Sequence, residues 1–396
     1  MRRLKIVGAL VCLAAALSLS GCGDQGWVRV SPDGKYATVV IPQEISDEEK
    51  YAELSLYDLD RNTITPIARF ALETQAPSTI PFLWIANCQW MPDSRALSFI
   101  AIEVPPSEPT PTTDSIDEKD CGTEEASYRV ILYELGSGML KRLPIEEPAA
   151  AQWSRDGKYL IVYHENNDTI AVYRAETWVR VAALEVPDDY YDNIISWEWA
   201  AMLAETPMSM LVLLGGTARQ VSSKTTDDSC WYSDTVRVGN LYLVRGGQMV
   251  PFTTTQDVLA FWVDATQTVV RWARVKHENY IAVFERSVYG GAPKRLALLP
   301  HAEVPVNAED DETYFRFSPN GDKLAWYDSE GLYVLDIPSG VVHRLTAASA
   351  RNARGGVLQQ FEDDSPVGFD WRGNETLVIQ RGLDLETLSV RSLKRF

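Results

Sequence analysis

The turn sequence Ser-Pro-Asp-Gly and its variants recur along this 396-residue chain, each time after an apolar or aromatic residue and before a β-prone run. The clearest copies are Val28-Arg29-Val30-Ser31-Pro32-Asp33-Gly34-Lys35-Tyr36, Ala151-Gln152-Trp153-Ser154-Arg155-Asp156-Gly157-Lys158-Tyr159 and Phe315-Arg316-Phe317-Ser318-Pro319-Asn320-Gly321-Asp322-Lys323. Weaker copies lie at Cys88–Ser94 and Gly368–Asn374, and degenerate ones begin near Ile194-Ile195-Ser196-Trp197 and Leu259-Ala260-Phe261-Trp262. The spacing, roughly 45 to 65 residues, is that of a four-stranded propeller blade.

The turn chemistry predicts a hairpin. Proline presets φ at the second turn position, aspartate bonds its own backbone, and glycine supplies the left-handed conformation. The runs that follow, Tyr36–Val40 and Tyr159–Tyr163 among them, read as buried strands. Leu54–Asp58, Val130–Tyr133 and Leu332–Asp336 read as third strands, and Val341–Leu345 as an outer one. Helical periodicity is nearly absent. The expected fold is an all-β propeller, with seven four-stranded blades as the leading count and six or eight as alternatives. An eighth blade would have to hide within 201–257. Trp90, Trp153, Trp197, Trp262 and Trp371 are expected at one repeat position, packing between blades.

The aromatic-Ser-Pro-Asp-Gly-Lys core resembles the TolB-like, WD40-like propeller repeat family, across residues 27–396. The resemblance implies a propeller and a protein-interaction role. TolB carries a separate α/β domain before its propeller, whereas Trp27 here leads directly into the first repeat. The role in the Tol system therefore does not transfer, and function must be argued from sites.

Residues 1–21 read as a signal peptide, with Arg2, Arg3 and Lys5 ahead of a short apolar run. The run ends in Leu19-Ser20-Gly21-Cys22, which looks like a bacterial lipobox. Cys22 is then the lipidation site, carrying diacylglyceryl, and 22–26 the anchored N-terminus. That placement makes the protein extracytoplasmic and tethered to the cell envelope. Cys88, Cys121 and Cys230 remain as thiols outside the cytoplasm, where a disulfide can persist. The expected pair is Cys121 with Cys230, since both lie in insertions between second and third strands. Cys88 is the competing partner for Cys121.

Charge adds a direction. Asp plus Glu outnumber Lys plus Arg by 55 to 37, and removal of the signal peptide moves the net charge from −18 to about −21. That balance excludes a nucleic-acid backbone partner. In a propeller, second-to-third-strand loops and blade connections share one face. Asp47-Glu48-Glu49, the 114–125 stretch and Asp227-Asp228 fall in the former. Asp188, Asp189, Glu309, Asp310, Asp311, Glu312, Glu362, Asp363 and Asp364 fall in the latter. An acidic face that docks a basic envelope protein or peptide is expected.

Catalytic signatures are lacking. The sequence has no Gly-x-Ser-x-Gly elbow, phosphate-binding loop, His-Glu-x-x-His or EF-hand loop. The four histidines lie in different repeats or on an outer strand, and His164 and His277 are read as satisfied surface groups rather than a shared metal site. No cofactor is expected beyond the lipid, and a divalent cation such as calcium is not indicated. Asp58-Leu59-Asp60-Arg61-Asn62 reads as an Asp-rich turn. The expected activity is non-catalytic binding or scaffolding, and the alternative is a sugar- or peptide-processing enzyme, possible metal assistance included, with its site at the channel mouth.

Overall fold

The computed structural model describes residues 28–46, 49–71, 82–103, 127–187, 199–203, 206, 208–224, 232–276, 280–299, 315–328, 331–345, 368–381 and 384–390. Their strands fall into seven antiparallel units. Unit 1 comprises β1 (Arg29–Val30), β2 (Tyr36–Ser46), β3 (Glu49–Asp58) and β4 (Thr63–Ala71). Unit 2 comprises β5 (Phe82–Trp90), β6 (Ala96–Glu103), β7 (Tyr128–Glu134) and β8 (Met139–Glu146). Unit 3 comprises β9 (Ala150–Trp153), β10 (Tyr159–His164), β11 (Thr169–Arg174) and β12 (Arg180–Glu185). Unit 4 holds β13 (Ala200–Met202), β14 (Met210–Lys224), β15 (Tyr232–Arg245) and β16 (Gln248–Pro251). Unit 5 holds β17 (Val258–Val263), β18 (Val269–Lys276), β19 (Tyr280–Ser287) and β20 (Gly290–Leu299). Unit 6 holds β21 (Phe315–Phe317), β22 (Lys323–Asp328), β23 (Gly331–Asp336) and β24 (Val341–Leu345). Unit 7 has three described strands, β25 (Gly368–Trp371), β26 (Thr376–Arg381) and β27 (Asp384–Ser389).

Each unit is a meander, and in units 1, 2, 3, 5 and 6 the repeated turn joins the first strand to the second. The local cause is a hydrogen-bond circuit built by two side chains and two backbone amides. Ser31 Oγ donates to Asp33 Oδ1 (2.7 Å) and accepts from Tyr36 N (3.0 Å), while Asp33 Oδ1 accepts from Lys35 N (3.2 Å). The same bonds recur around Ser154 and Asp156, and around Ser318 and Asn320. Gly34, Gly157 and Gly321 occupy the left-handed position at φ of 71°, 70° and 71°. Ser94 and Gln267 fill that place in units 2 and 5.

Strand alternation sends successive side chains to opposite sheet faces, so each sheet buries both. In β10, Leu160 and Val162 enter the apolar cluster shared with unit 2, while Ile161 and Tyr163 enter the cluster shared with unit 4. Seven such clusters bridge successive pairs of units, and the seventh packs Val378 of unit 7 against Val28, Val30, Ala37, Val39 and Ile41 of unit 1. The sheets therefore stand face to face in a closed ring, a β-propeller with first strands innermost.

Two expectations need correction. The unit 4 inner strand is Ala200–Met202, not the Ile194–Trp197 stretch, so Met202 takes the aromatic place; Trp197 lies outside the described residues, and Trp199 is fully buried between units 3 and 4. The interval 201–257 contains a single unit with one long hairpin, β14 paired with β15, rather than a hidden repeat.

Candidate functional site

The first strands converge on the ring axis, and register fixes which residue of each faces it. Val30, Trp90, Trp153, Met202, Val263, Phe317 and Trp371 occupy equivalent places, paired with Ala37, Leu97, Leu160, Met210, Val270, Leu324 and Leu377. The residue before each is the axial one: Arg29, Gln89, Gln152, Ala201, Trp262, Arg316 and Asp370. All seven line a cavity of about 510 Å³ that opens on the face of the repeated turns, where Arg155, Asp264, Gln267 and Pro319 form part of the rim. The tryptophan expectation is thus corrected at one described position. Trp90, Trp153 and Trp371 are buried against the preceding unit, whereas Trp262, one residue earlier in register, is half-buried and packs against the cluster shared with the following unit, unit 6.

The axial groups are largely tied to one another. Asp370, from unit 7, accepts an ion-pair hydrogen bond from Arg316 of unit 6. Its second oxygen accepts from the Val30 amide of unit 1 at 2.8 Å, and its first also accepts from the Trp371 amide. One carboxylate therefore joins three inner strands. Trp371 Nε1 donates to Arg316 O (3.1 Å), and Trp90 Nε1 to Arg29 O (2.8 Å).

Trp262 is held from behind. Its Nε1 donates to Pro319 O at 3.0 Å, and the Arg271 guanidinium lies 5.3 Å from its ring centre. Arg271 in turn binds Glu285, Asp322 and the Gly321 carbonyl at 2.8–2.9 Å. Burial alone would weaken that guanidinium as a base; the Asp322 and Glu285 carboxylates outweigh it and push its pKa up.

At the rim, Asp264 accepts from the amides of Thr266, Thr268 and Val269 and from the Thr266 hydroxyl. Burial opposes its ionisation, but these bonds outweigh burial and hold its carboxyl below the usual range. Asp33, Asp93 and Asp156 show the same balance, with burial exceeded by turn hydrogen bonds and by Lys35, Arg95 and Lys158 beside them.

Sequence reasoning missed the axial set. The signal was available: alternation sends the position before each strand-ending aromatic to the opposite sheet face, which at the innermost strands borders the channel. Its identity varies from arginine to alanine, so it carries no motif of its own. Cys22, Cys121, Cys230, Asp188, Asp189, Glu309, Asp310, Asp311, Glu312, Glu362, Asp363 and Asp364 are all outside the described residues.

Cys88 is a free thiol, 1% exposed, in the cluster between units 1 and 2, so it is no partner for Cys121. Burial pushes its pKa well above the usual thiol range. His164 is buried rather than superficial, with Nε2 at 3.2 Å from the Tyr173 hydroxyl and a pKa lowered by burial. His277 lies outside the described residues. Among the described residues no three His, Cys, Asp or Glu side chains gather as a metal site. The Asp58–Asn62 segment is a turn, with Asp58 Oδ1 accepting from the Asp60 and Arg61 amides.

The ring and its axial cavity define the class of protein as a β-propeller. A chain of the mitotic checkpoint complex aligns at a TM-score of 0.50 and 10% identity, covering 92% of this chain and 86% of that one. The propeller domain of Cps50 from Myceliophteria thermophila aligns at 0.49 and 11%, covering 93% and 97%. Oligogalacturonate lyase in complex with manganese aligns at 0.48 and 10%, covering 92% and 86%. At such identities the likeness is one of fold. No family model and no curated protein matches the chain.

Proposed function

We propose that this chain is an extracytoplasmic lipoprotein of the TolB-like repeat type, anchored through diacylglyceryl on Cys22. Its seven-bladed propeller serves as a non-catalytic binding or scaffolding module for a basic envelope protein or peptide. The docking face is acidic, built by Asp188, Asp189, Glu309–Glu312 without exception, and Glu362, Asp363 and Asp364.

The observation that carries the reading is strand order. In a meander, the end of the second strand, the start of the third, the end of the fourth and the start of the next first strand share one end of the sheets. The six acidic runs fall between strands ending there, the first of them running on into the start of β3: β2 and β3, β6 and β7, β12 and β13, β14 and β15, β20 and β21, β24 and β25. Clustered like charges raise the local potential and the encounter rate with an opposite partner.

The test combines crosslinking with charge removal. Crosslinkers installed in the 309–312 segment of the full chain in cells should trap a basic envelope protein. Neutralising Glu309, Asp310, Asp311 and Glu312 should then weaken binding to that purified partner and flatten its salt dependence. Unchanged affinity would reject the acidic face. Cys22→Ala should release the protein from membranes, and persistent attachment would reject the lipid assignment. Tightly bound, stoichiometric transition metal in purified protein would instead favour the propeller-enzyme reading.

A further inference from the structure

The turns from third to fourth strands open on the same face as the repeated turns, and exposed apolar side chains gather along them. Among the described residues seven large apolar side chains are exposed, and six lie in these turns or just after them: Ile64, Met139, Leu140, Val179, Val250 and Tyr289. They come from units 1 to 5 in succession and so mark out an arc of the outer rim. The seventh, Leu298, lies near the far end of β20. Single exposed apolar residues are ordinary on a protein surface, but their restriction to one end of the sheets is not.

Local structure holds two of them outward. Trp178 takes a left-handed φ of 57°, which bulky residues avoid, and its ring packs edge-on against Trp153 at 6.1 Å. Val179, next in the chain, is left 58% exposed. Tyr289 is 65% exposed, with the Arg245 guanidinium of unit 4 lying 5.4 Å from its ring centre.

Charge follows the same arc. The described fourth strands contain seven Lys or Arg against two Asp or Glu, in a chain where acids outnumber bases. Both acids, Glu146 and Glu185, are the last residues of β8 and β12, at the opposite end. Lys141, Arg142, Arg180, Lys294 and Arg295 are exposed. Lys141 is two residues beyond Met139, and Lys294 stands in register with Glu285, two residues before the end of β19 at Ser287. Both therefore sit about 7 Å behind the turns. Glu285 is already bound to Arg271, and in the unit 3 turn the exposed Glu176 lies between Arg174 and Arg180 in sequence. On the inner turns Lys35, Arg95 and Lys158 pair with their own aspartates, so the positive surplus belongs to the outer strands.

We propose that this rim rests on an anionic lipid surface. The apolar tips enter the boundary between headgroups and acyl chains, and the Lys and Arg behind them meet headgroup phosphates. A tyrosine beside a guanidinium suits the same level. A protein partner needs one contiguous, well-packed apolar core, whereas these side chains stand unit by unit with polar turns between them. A lipid surface accommodates such separate points. The proposal does not rest on the Cys22 anchor, and it turns the opposite end of the sheets away from the bilayer.

Photocrosslinking reads the orientation directly. A diazirine side chain is placed singly at Met139, Val179, Tyr289 or Leu298 of the full chain. Each is irradiated with vesicles of phosphatidylcholine and phosphatidylglycerol, and lipid adducts are counted by mass spectrometry. Positions 139, 179 and 289 should each label several-fold more than 298. Changing Lys141, Arg142, Lys294 and Arg295 together to Gln should cut that labelling by roughly tenfold or more, while thermal unfolding shows the variant to be folded. The ratio between positions reports orientation however the chain is held, so its failure is distinct from loss of the Cys22 anchor. Equal labelling at 298, no lipid adducts, adducts to a second copy in place of lipid, or labelling unchanged by the Gln variant would each overturn the proposal.

Discussion

Gly321 shows how a turn residue can be fixed by its neighbour as well as by its own backbone. Its φ is +71°, and a Cβ there would sit 2.5 Å from the Trp262 ring. Gly340 has a similar φ of +67° but open space around it. Gly340→Ala should cost about 1 kcal/mol, the backbone penalty alone. Gly321→Ala should cost roughly 3 kcal/mol, because ring displacement adds to that strain. Chemical denaturation of both variants measures the difference, and equal losses would mean the indole moves freely.

The turn aspartates give a pH signature at the same scale. Asp33, Asp93, Asp156 and Asp264 have lowered folded-state pKa values. Their stabilisation is therefore complete above the ordinary carboxylate value near ~4 and is lost as pH falls through the lower folded values. The melting temperature should drop as pH falls below about 4. Asp156→Asn, which keeps an acceptor in the Ser154 circuit but cannot titrate, should shrink that drop. An unchanged acid profile in calorimetry would argue against a role for these turns. The circuits were legible in the sequence, since every bond in them joins residues within five positions.

At the scale of elements, β25 is tied to β1 and β21 by Asp370 rather than by strand pairing. Both side chains of the Arg316–Asp370 pair are only 11% exposed, so removing the anion strands a buried cation. Asp370→Ala should destabilise by about 3 kcal/mol, and Arg316→Met with Asp370→Leu should recover part of it. Equilibrium unfolding of the single and double variants decides this; a double variant weaker than the single would refute the account. Sequence patterning placed these strands well but read the wrong stretch for the first strand of unit 4. Met202 replaces the aromatic there, and the nearby Trp197 and Trp199 imitate the motif. Unit 5 misled by one residue for a similar reason: Trp262 looks like its repeat counterparts, yet Asp264 takes the serine place in the turn and moves Val263 into the packing position.

For the whole molecule, ring closure is the vulnerable seam. Among the described residues, Val378 is the only fully buried unit 7 residue in the cluster shared with unit 1. Hydrogen bonds that cross the same seam include Val30 N to Asp370 Oδ2, Gln380 Nε2 to Val40 O at 2.9 Å, and Arg372 to Asp60 at 2.7 Å. Under mild denaturant, amides of β25–β27 should exchange before those of units 3 to 5, whose clusters are larger. Uniform protection around the ring would show that closure is as strong as any other junction.

The amino-acid pattern by itself determined the strand period, the turn chemistry and hence the propeller, because those depend on hydrogen bonds and alternation among near neighbours. Only the tertiary structure decided which side chains meet at the axis. Arg29, Arg316 and Asp370 are up to 341 positions apart and come together only when seven units close.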